Sequence, residues 1–123
     1  EVTRALALRG AELIFMPGGI DKRQLFASWR NLIWSRAIEN LATVVTTQNL
    51  FNPHDRGLAM VAQPERILFE TTEAGMFVID VDLERCRDLR RQNDELDSFN
   101  RNGAKAGILT QWQRPDMYDQ FYP

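Results

Sequence analysis

The chain has 123 residues, the length of one small domain, of which 44% are apolar and 26% are charged. These values match globular proteins and exclude a disordered, collagen-like or low-complexity chain. A net charge of −2 without a basic stripe gives no indication of a nucleic-acid partner. No apolar run is long enough to span a membrane, and the single cysteine, Cys86, excludes an internal disulfide. We expect a cytoplasmic protein.

The first elements are a helix and a strand. A helical pattern around Arg4 ends at Gly10, a residue suited to the position after a helix. The apolar segment Ala11–Met16 predicts a short buried strand that the turn Pro17–Gly19 closes. A helix followed at once by a strand is part of an α/β repeat, so we expect the repeat's first strand to precede Glu1 and the chain to begin within a domain.

A long helix is predicted from about Gln24 to Leu41, with Asp21 as its N-cap. Its apolar arc extends over more than half of the helix circumference. One apolar face holds Leu25, Trp29, Leu32 and Ile33, and the arc continues through Phe26, Trp34, Ala37, Ile38 and Leu41. Such a helix needs two partners, one of which can be the sheet. The other can be a second subunit, so we expect a homo-oligomer through residues 24–41.

Three polar residues, Arg36, Glu39 and Asn40, interrupt the first apolar face. Buried charges require partners, and the i, i+3 spacing of Arg36 and Glu39 permits an ion pair. We interpret the three residues as a structural polar network at a packed face and, with Trp29, as structural or interface residues. An ordinary surface ion pair is the alternative.

The next part of the chain alternates strands and turns. Its predicted elements are a strand at Thr43–Gln48, a loop at Asn49–Arg56, a strand at Leu58–Ala62, a turn at Gln63–Arg66, a hairpin strand at Ile67–Glu70 and a strand at Gly75–Asp82. Asp82 then caps a helix, Leu83–Arg91, with Leu83, Cys86 and Leu89 as its apolar positions.

The C-terminal part, residues 92–123, is polar and lacks periodicity, yet it contains five aromatic residues: Phe99, Trp112, Tyr118, Phe121 and Tyr122. Disordered tails contain few aromatic residues. We therefore predict that this tail lies extended over a neighbouring surface, such as another subunit. A disordered C-terminus is the alternative.

Few residues suggest chemistry. His54 is the only histidine and lies in a predicted loop, which favours a surface position. Cys86 lies between two arginines, but it occupies a position where the helix pattern favours an apolar side chain, and no base can be assigned to it. One cysteine and one histidine provide no metal-ligand spacing, and the turn Pro17–Gly19 is too short for a phosphate loop. The residues alone indicate an α/β domain that is oligomeric.

Several motifs, taken in order, resemble the carbon-nitrogen hydrolase (nitrilase) superfamily. The first, EVTR…LRGAELI at residues 1–14, resembles the segment that follows the catalytic cysteine of that family. Residues 29–40, W-x-x-L-x-x-S-R-A-I-E-N, are similar to the family's W-x-x-L-x-x-A-R-A-x-E-N helix. The family's order and spacing continue in three later motifs. These are Val44-Val45 with Asn49, the Gly57…Pro64-Glu65 hairpin, and VIDVDL at 78–83 followed by Arg87 or Arg90. The resemblance covers residues 1–91, and residues 82–90 look most like the amidase and carbamoylase branches.

The resemblance implies an α-β-β-α sandwich that dimerises through helices, with a C-terminal tail crossing the interface. It also implies hydrolysis of an amide, carbamoyl or nitrile group by a Cys nucleophile, a Glu base and a Lys, without a cofactor. None of the three catalytic residues maps onto this chain, because all are expected upstream of Glu1. Residues 1–91 then correspond to the C-terminal half of the domain, of α/β (α+β) class. The resemblance places substrate-pocket residues at Met16, Pro17, Gly18, Gly19 and Asn49.

Two other interpretations remain. The chain can be a catalytically inactive module that serves interaction or dimerisation, as its lack of the triad suggests. Half of a sandwich, however, leaves an apolar sheet face and a sheet edge uncovered, so such a module needs a partner. The chain can also be one part of a split enzyme whose triad lies on another polypeptide.

Overall fold

A four-stranded mixed sheet forms the centre of the computed structural model, which describes residues 1–19, 26–49 and 57–91. The strands are β1 (Leu13–Phe15), β2 (Thr43–Thr46), β3 (Ala59–Ala62) and β4 (Ile67–Thr71), and they lie in the order β1-β2-β3-β4. β1 runs parallel to β2, whereas β3 and β4 form an antiparallel hairpin beside it. With three helices in the described residues, the protein has a mixed α+β fold.

The helices are α1 (Val2–Leu8), α2 (Phe26–Asn40) and α3 (Leu83–Arg91), and local signals fix their ends. After α1, Gly10 has a φ of 94°, and its N–H donates to the Ala7 carbonyl. The N–H of Ala11 donates to the Leu6 carbonyl, which completes a Schellman motif. At the start of α3, the Asp82 carboxylate accepts a hydrogen bond from the Arg85 N–H (3.2 Å), as its predicted N-cap role requires.

Both α1 and α2 cover the same face of the sheet. Ile14 of β1 and Val44 of β2 are register partners, so their side chains project from one face. Ile14 packs with Ala7 of α1, and Val44 packs with Ile33 and Ala37 of α2. Two core clusters result: the first holds Ala7, Ile14, Leu41, Ala42 and Leu89, and the second holds Ile33, Ala37, Val44, Leu58, Met60 and Ala62.

Helix α3 is attached by its basic side chains as well as by Cys86 and Leu89. Arg87 forms a two-pronged ion pair with Glu12 (2.6 and 2.9 Å), and Arg85 forms another with Glu65 (2.6 Å for both bonds). Arg90 donates to backbone carbonyls at the end of α2 and before β1. Residues that are distant in sequence thus hold α3 against the amino-terminal ends of β1 and β2.

We call the opposite sheet face the open face. The register aligns Phe15, Val45, Val61 and Phe69 in one row across all four strands. Helix α3 reaches this face at the start of β2, where the Cys86 sulfur lies 3.6 Å from the Thr43 hydroxyl. Phe15 and Leu13 of β1 are nevertheless 67% and 37% exposed, although both are large and apolar. The sheet is therefore apolar on both faces, and the β1 end of the open face is exposed.

Two sequence predictions are wrong. The predicted strand at Gly75–Asp82 is absent, because these residues pair with no described strand and most of residues 72–79 line a groove on the open face instead. There the Phe77 ring packs on Phe69, with a centroid separation of 4.9 Å. The predicted first apolar face of α2 is also wrong at Leu32, which is 37% exposed. The buried face of this helix consists of Ile33, Ala37 and Asn40.

Other predictions fall on residues outside the described ranges. These are the Asp21 N-cap, the first residues of the long helix including Leu25, the loop that holds His54, and the tail at 92–123. Within the described residues, no helix is both long enough and apolar enough to cross a membrane.

Candidate functional site

The predicted pocket residues on the turn after β1 lie beside the end of β2. The Gly18 N–H donates to the Thr47 carbonyl (2.9 Å), and the Asn49 N–H donates to the Gly18 carbonyl (3.2 Å). This pairing extends the parallel ladder beyond β1 and β2, through an isolated bridge between Gly18 and Gln48. This hydrogen-bonded contact between Gly18 and Asn49 lies where the parallel strands β1 and β2 both end. The carboxyl ends of parallel strands meet at one sheet edge, and α/β proteins bind ligands at this edge.

Packing explains why the turn contains glycine at position 18. A Cβ atom added to Gly18 would lie 2.9 Å from Cζ2 of Trp29, closer than a carbon contact allows. Trp29 is half-buried and packs on the second core cluster. The helix thus approaches the turn so closely that only glycine fits there. The Trp29 ring therefore lies directly against the turn.

Met16 packs in the core of the protein. Its backbone carbonyl accepts a hydrogen bond from the Thr46 hydroxyl (2.8 Å), and its sulfur accepts one from the Thr3 hydroxyl (3.6 Å). Its side chain packs against both core clusters. Pro17 and Gly19, in contrast, are exposed, so these two residues form the accessible part of the turn.

A groove of about 590 Å³ lies on the open face, next to this sheet edge. Apolar side chains of β2, β3 and β4 line it together with residues 72–77 and Ile79, and its polar lining includes Thr47, Gln48, Asn49, Thr71 and Glu73. Of the predicted pocket residues, only Asn49 lines this groove. Gln48 is fixed there, since its side-chain oxygen accepts a hydrogen bond from the Leu58 N–H (2.7 Å).

Sequence reasoning missed most of this groove. Its lining comes from three strands, from the loop ends next to them and from the segment that was wrongly predicted to be a further strand. Met76, Phe77 and Ile79 of this segment line the groove, whereas Val78 does not and is 90% exposed.

The polar residues on α2 form a local network near the end of the helix. Arg36 Nη1 donates to Glu39 Oε1, as the i, i+3 spacing predicts. Asn40 is fully buried, and its side-chain amide donates to the Arg36 carbonyl (2.8 Å). The Asn40 Oδ1 atom is buried without a hydrogen-bond partner among the described residues. The two charged side chains retain about a third of their exposure (31% and 34%), so the ion pair lies at the margin of the packed face.

Cys86 is unsuited to nucleophilic chemistry. The side chain is fully buried in α3, and its sulfur lies 3.6 Å from the Thr43 hydroxyl. Burial raises the pKa of the Cys86 thiol, which keeps the thiol protonated at neutral pH. The described residues hold no group of three or more His, Cys, Asp or Glu side chains that could bind a metal ion.

Comparison with known proteins adds no assignment, because neither a protein-family model nor a curated protein matches this chain. The site is therefore defined by its geometry alone. It consists of a turn and a strand end that meet at the carboxyl edge of the sheet, next to an apolar groove with a polar rim.

Proposed function

We propose that the chain is a portion of a carbon-nitrogen hydrolase that cleaves a non-peptide C–N bond. In the complete enzyme a cysteine thiolate attacks the substrate carbonyl carbon, and the C–N bond breaks as the amine leaves with a proton from the Glu. Water then cleaves the thioester and regenerates the thiol. The Glu, Lys and Cys of this reaction are expected upstream of Glu1. The ordered motifs across residues 1–91 support the proposal.

The observation that carries the proposal is the open face. A sheet covered by helices on one side and apolar on the other is half of a layered domain. Phe15 and Leu13, at the β1 end of this face, present apolar surface which, in a stable protein, is covered. An α-β-β-α sandwich meets this requirement, because a second sheet packs face to face on the first at about 10 Å.

This chain would then supply one wall of the substrate pocket. Gly18 and Asn49 meet at the carboxyl edge of the sheet, and Asn49 also lines the groove. The exposed Pro17 and Gly19 complete the turn. The substrate is a small amide, carbamoyl or nitrile compound, with the amidase and carbamoylase branches favoured by residues 82–90. The proposal requires no cofactor.

Selective cysteine labelling tests this proposal. In protein purified from its natural source, iodoacetamide at pH 6.5 should label one cysteine outside these 123 residues and abolish amide or carbamoyl hydrolysis. Cys86 should stay unlabelled, because it is buried. The matched control is Cys86→Ala, which should retain activity and labelling. Hydrolysis that survives complete labelling of every accessible cysteine would contradict the proposal.

A non-catalytic interaction module is the second candidate, and the outer helical surface favours it. Val2, Leu6 and Leu8 of α1 and Leu32 of α2 are exposed apolar residues on this side of the sheet. A second copy of the chain could cover them, which would give the expected homo-oligomer. Leu32→Glu should then dissociate the oligomer in light scattering, whereas Val78→Glu, on the open-face side, should not. Equal effects of both substitutions would argue against a helix-mediated interface.

A further inference from the structure

The side-chain amide of Gln48 has a fixed orientation at the edge of the groove. Its Oε1 atom accepts a hydrogen bond from the Leu58 N–H (2.7 Å). Because a backbone N–H can only donate, this bond identifies the oxygen and assigns the other position to the Nε2 group. Gln48 is half-buried, lines the groove and forms the parallel bridge to Gly18. The two Nε2 hydrogens are therefore donors whose orientation is set by the protein.

Other polar groups of the groove already have partners within the protein. The Thr46 hydroxyl donates to the Met16 carbonyl (2.8 Å), and the Thr71 hydroxyl accepts a hydrogen bond from the Glu73 N–H (3.1 Å). The Gln48 Nε2 group, in contrast, has no hydrogen-bond partner within the described part of the chain. A ligand with an acceptor atom can therefore bond to this group without breaking a hydrogen bond of the protein.

The rest of the groove favours a ligand that is uncharged and apolar. The rings of Phe69 and Phe77 lie 4.9 Å apart at its wall. A Cβ atom on Gly75 would lie 3.1 Å from Cζ of Phe77, so the glycine allows the ring to take this position. Glu73 is the one charged residue in the described lining of the groove. An anion that enters loses hydration in an apolar groove and is repelled by this carboxylate.

We propose that Gln48 Nε2 donates a hydrogen bond to the carbonyl oxygen of an amide or carbamoyl compound, and that the groove selects such an uncharged compound over the corresponding carboxylate. The apolar part of the compound packs against Phe69 and Phe77. The choice of an amide or carbamoyl group rests on the proposed function. Hydrolysis of an amide produces a carboxylate, which Glu73 repels, so the charge that favours the substrate also favours release of this product.

Phenylacetamide and phenylacetate test the proposal in the complete protein, because the two probes share one carbon skeleton. The NMR signals of the Gln48 side-chain amide should shift with phenylacetamide and saturate with a Kd of about 1–10 mM, as expected for so small a ligand. Phenylacetate should bind at least about tenfold more weakly. If the Gln48 signals do not respond to phenylacetamide, or if the two probes bind equally, the proposal is wrong.

The substitution Gln48→Glu separates the two roles of this side chain. A carboxylate still accepts the hydrogen bond from the Leu58 N–H, but it has no N–H to donate. Gln48→Glu should therefore keep the urea midpoint of the wild type and bind phenylacetamide at least about tenfold more weakly. Gln48→Met should lose both stability and binding. Wild-type affinity of Gln48→Glu for phenylacetamide would overturn the proposal.

A matched pair of acidic residues tests the role of charge. Glu73→Gln should bring the affinities for the two probes to within about threefold of each other. Glu70→Gln is the control, because Glu70 pairs with Arg30 (2.6 Å) outside the groove lining and its loss should leave the ratio of affinities unchanged. Equal ratios in the two variants would refute selection by Glu73.

The binding measurements need no hydrolysis, so this inference and the proposed function can fail separately. Binding that depends on Gln48 in a protein without hydrolase activity would refute only the proposed function. Hydrolysis by Gln48→Glu with an unchanged KM for phenylacetamide would refute only the role of Gln48.

Discussion

Replacement of Arg90 should reveal how strongly one side chain joins three elements of the fold. Helix α2 ends in a Schellman motif: the N–H of Leu41 donates to the Ile38 carbonyl, and the N–H of Ala42 donates to that of Ala37. Leu41 takes the left-handed position with a φ of 46°, where glycine is usual. Its side chain is nevertheless fully buried, so packing holds a strained backbone in place.

The guanidinium of Arg90 satisfies the carbonyls at this unusual helix end. It donates to the carbonyl of Leu41 (2.9 Å) and more weakly to that of Asn40 (3.3 Å). A third bond reaches the carbonyl of Ala11 before β1 (2.7 Å). Burial lowers the pKa of Arg90, which shows that desolvation offsets part of the gain. With about 1.5–3 kcal/mol for each good hydrogen bond to a charged group, we expect a net contribution of about 2–3 kcal/mol.

The assay is urea denaturation of Arg90→Met, which keeps the apolar part of the side chain and removes the donors. The denaturation midpoint should fall by about 1–2 M urea without a change in slope. Arg91→Met is the control: its side chain is 63% exposed and, among the described residues, bonds to the carboxylates of Glu84 and Asp88, so its loss should cost at most about 0.5 kcal/mol. If the two variants have equal midpoints, the assigned role of Arg90 is wrong.

Three further experiments test the site and its supports. Gly18→Ala should destabilise the protein by about 1–3 kcal/mol in calorimetry, and the loss should shrink in a Trp29→Leu background, where the ring that the new methyl meets is absent. Native Cys86 should resist alkylation at pH 8 and react at once in denaturant; rapid labelling of the native protein would refute its burial. The hydrogen bonds from Arg87 lower the pKa of Glu12, so the stability from this pair should be complete above the ordinary Glu value of 4.5 and lost as the pH falls through the lower folded-state value. Glu12→Gln should therefore flatten the acid limb of the stability profile, and an unchanged limb would exclude this contribution.

Local signals in the sequence predicted the elements whose ends depend on neighbouring residues. Gly10 ends α1, and Asp82 begins α3, because each acts on backbone groups within four positions. The turn at Gln63–Arg66 also formed as expected, with the Gln63 N–H donating to the Arg66 carbonyl (2.8 Å). These interactions need no information about the rest of the fold.

Features that depend on distant residues could not be predicted in this way. The apolar segment Gly75–Asp82 was predicted to be a strand, which is wrong, because whether such a segment forms a strand depends on a partner edge. The helix end at Leu41 carries no glycine, and its support comes from Arg90, 49 residues away. The contact between Gly18 and Trp29 likewise depends on the approach of α2 to the turn. The groove likewise depends on distant residues, because β2, β3, β4 and the segment after β4 all line it.

The intact mass of the protein from its natural source, together with the sequence of any residues that precede Glu1, tests the central claim most directly. The account predicts a polypeptide of about twice the 14.2 kDa of these residues, with a Glu, a Lys and a Cys in the preceding part. A polypeptide of 14.2 kDa that works without a second, cysteine-bearing chain would contradict the hydrolase assignment.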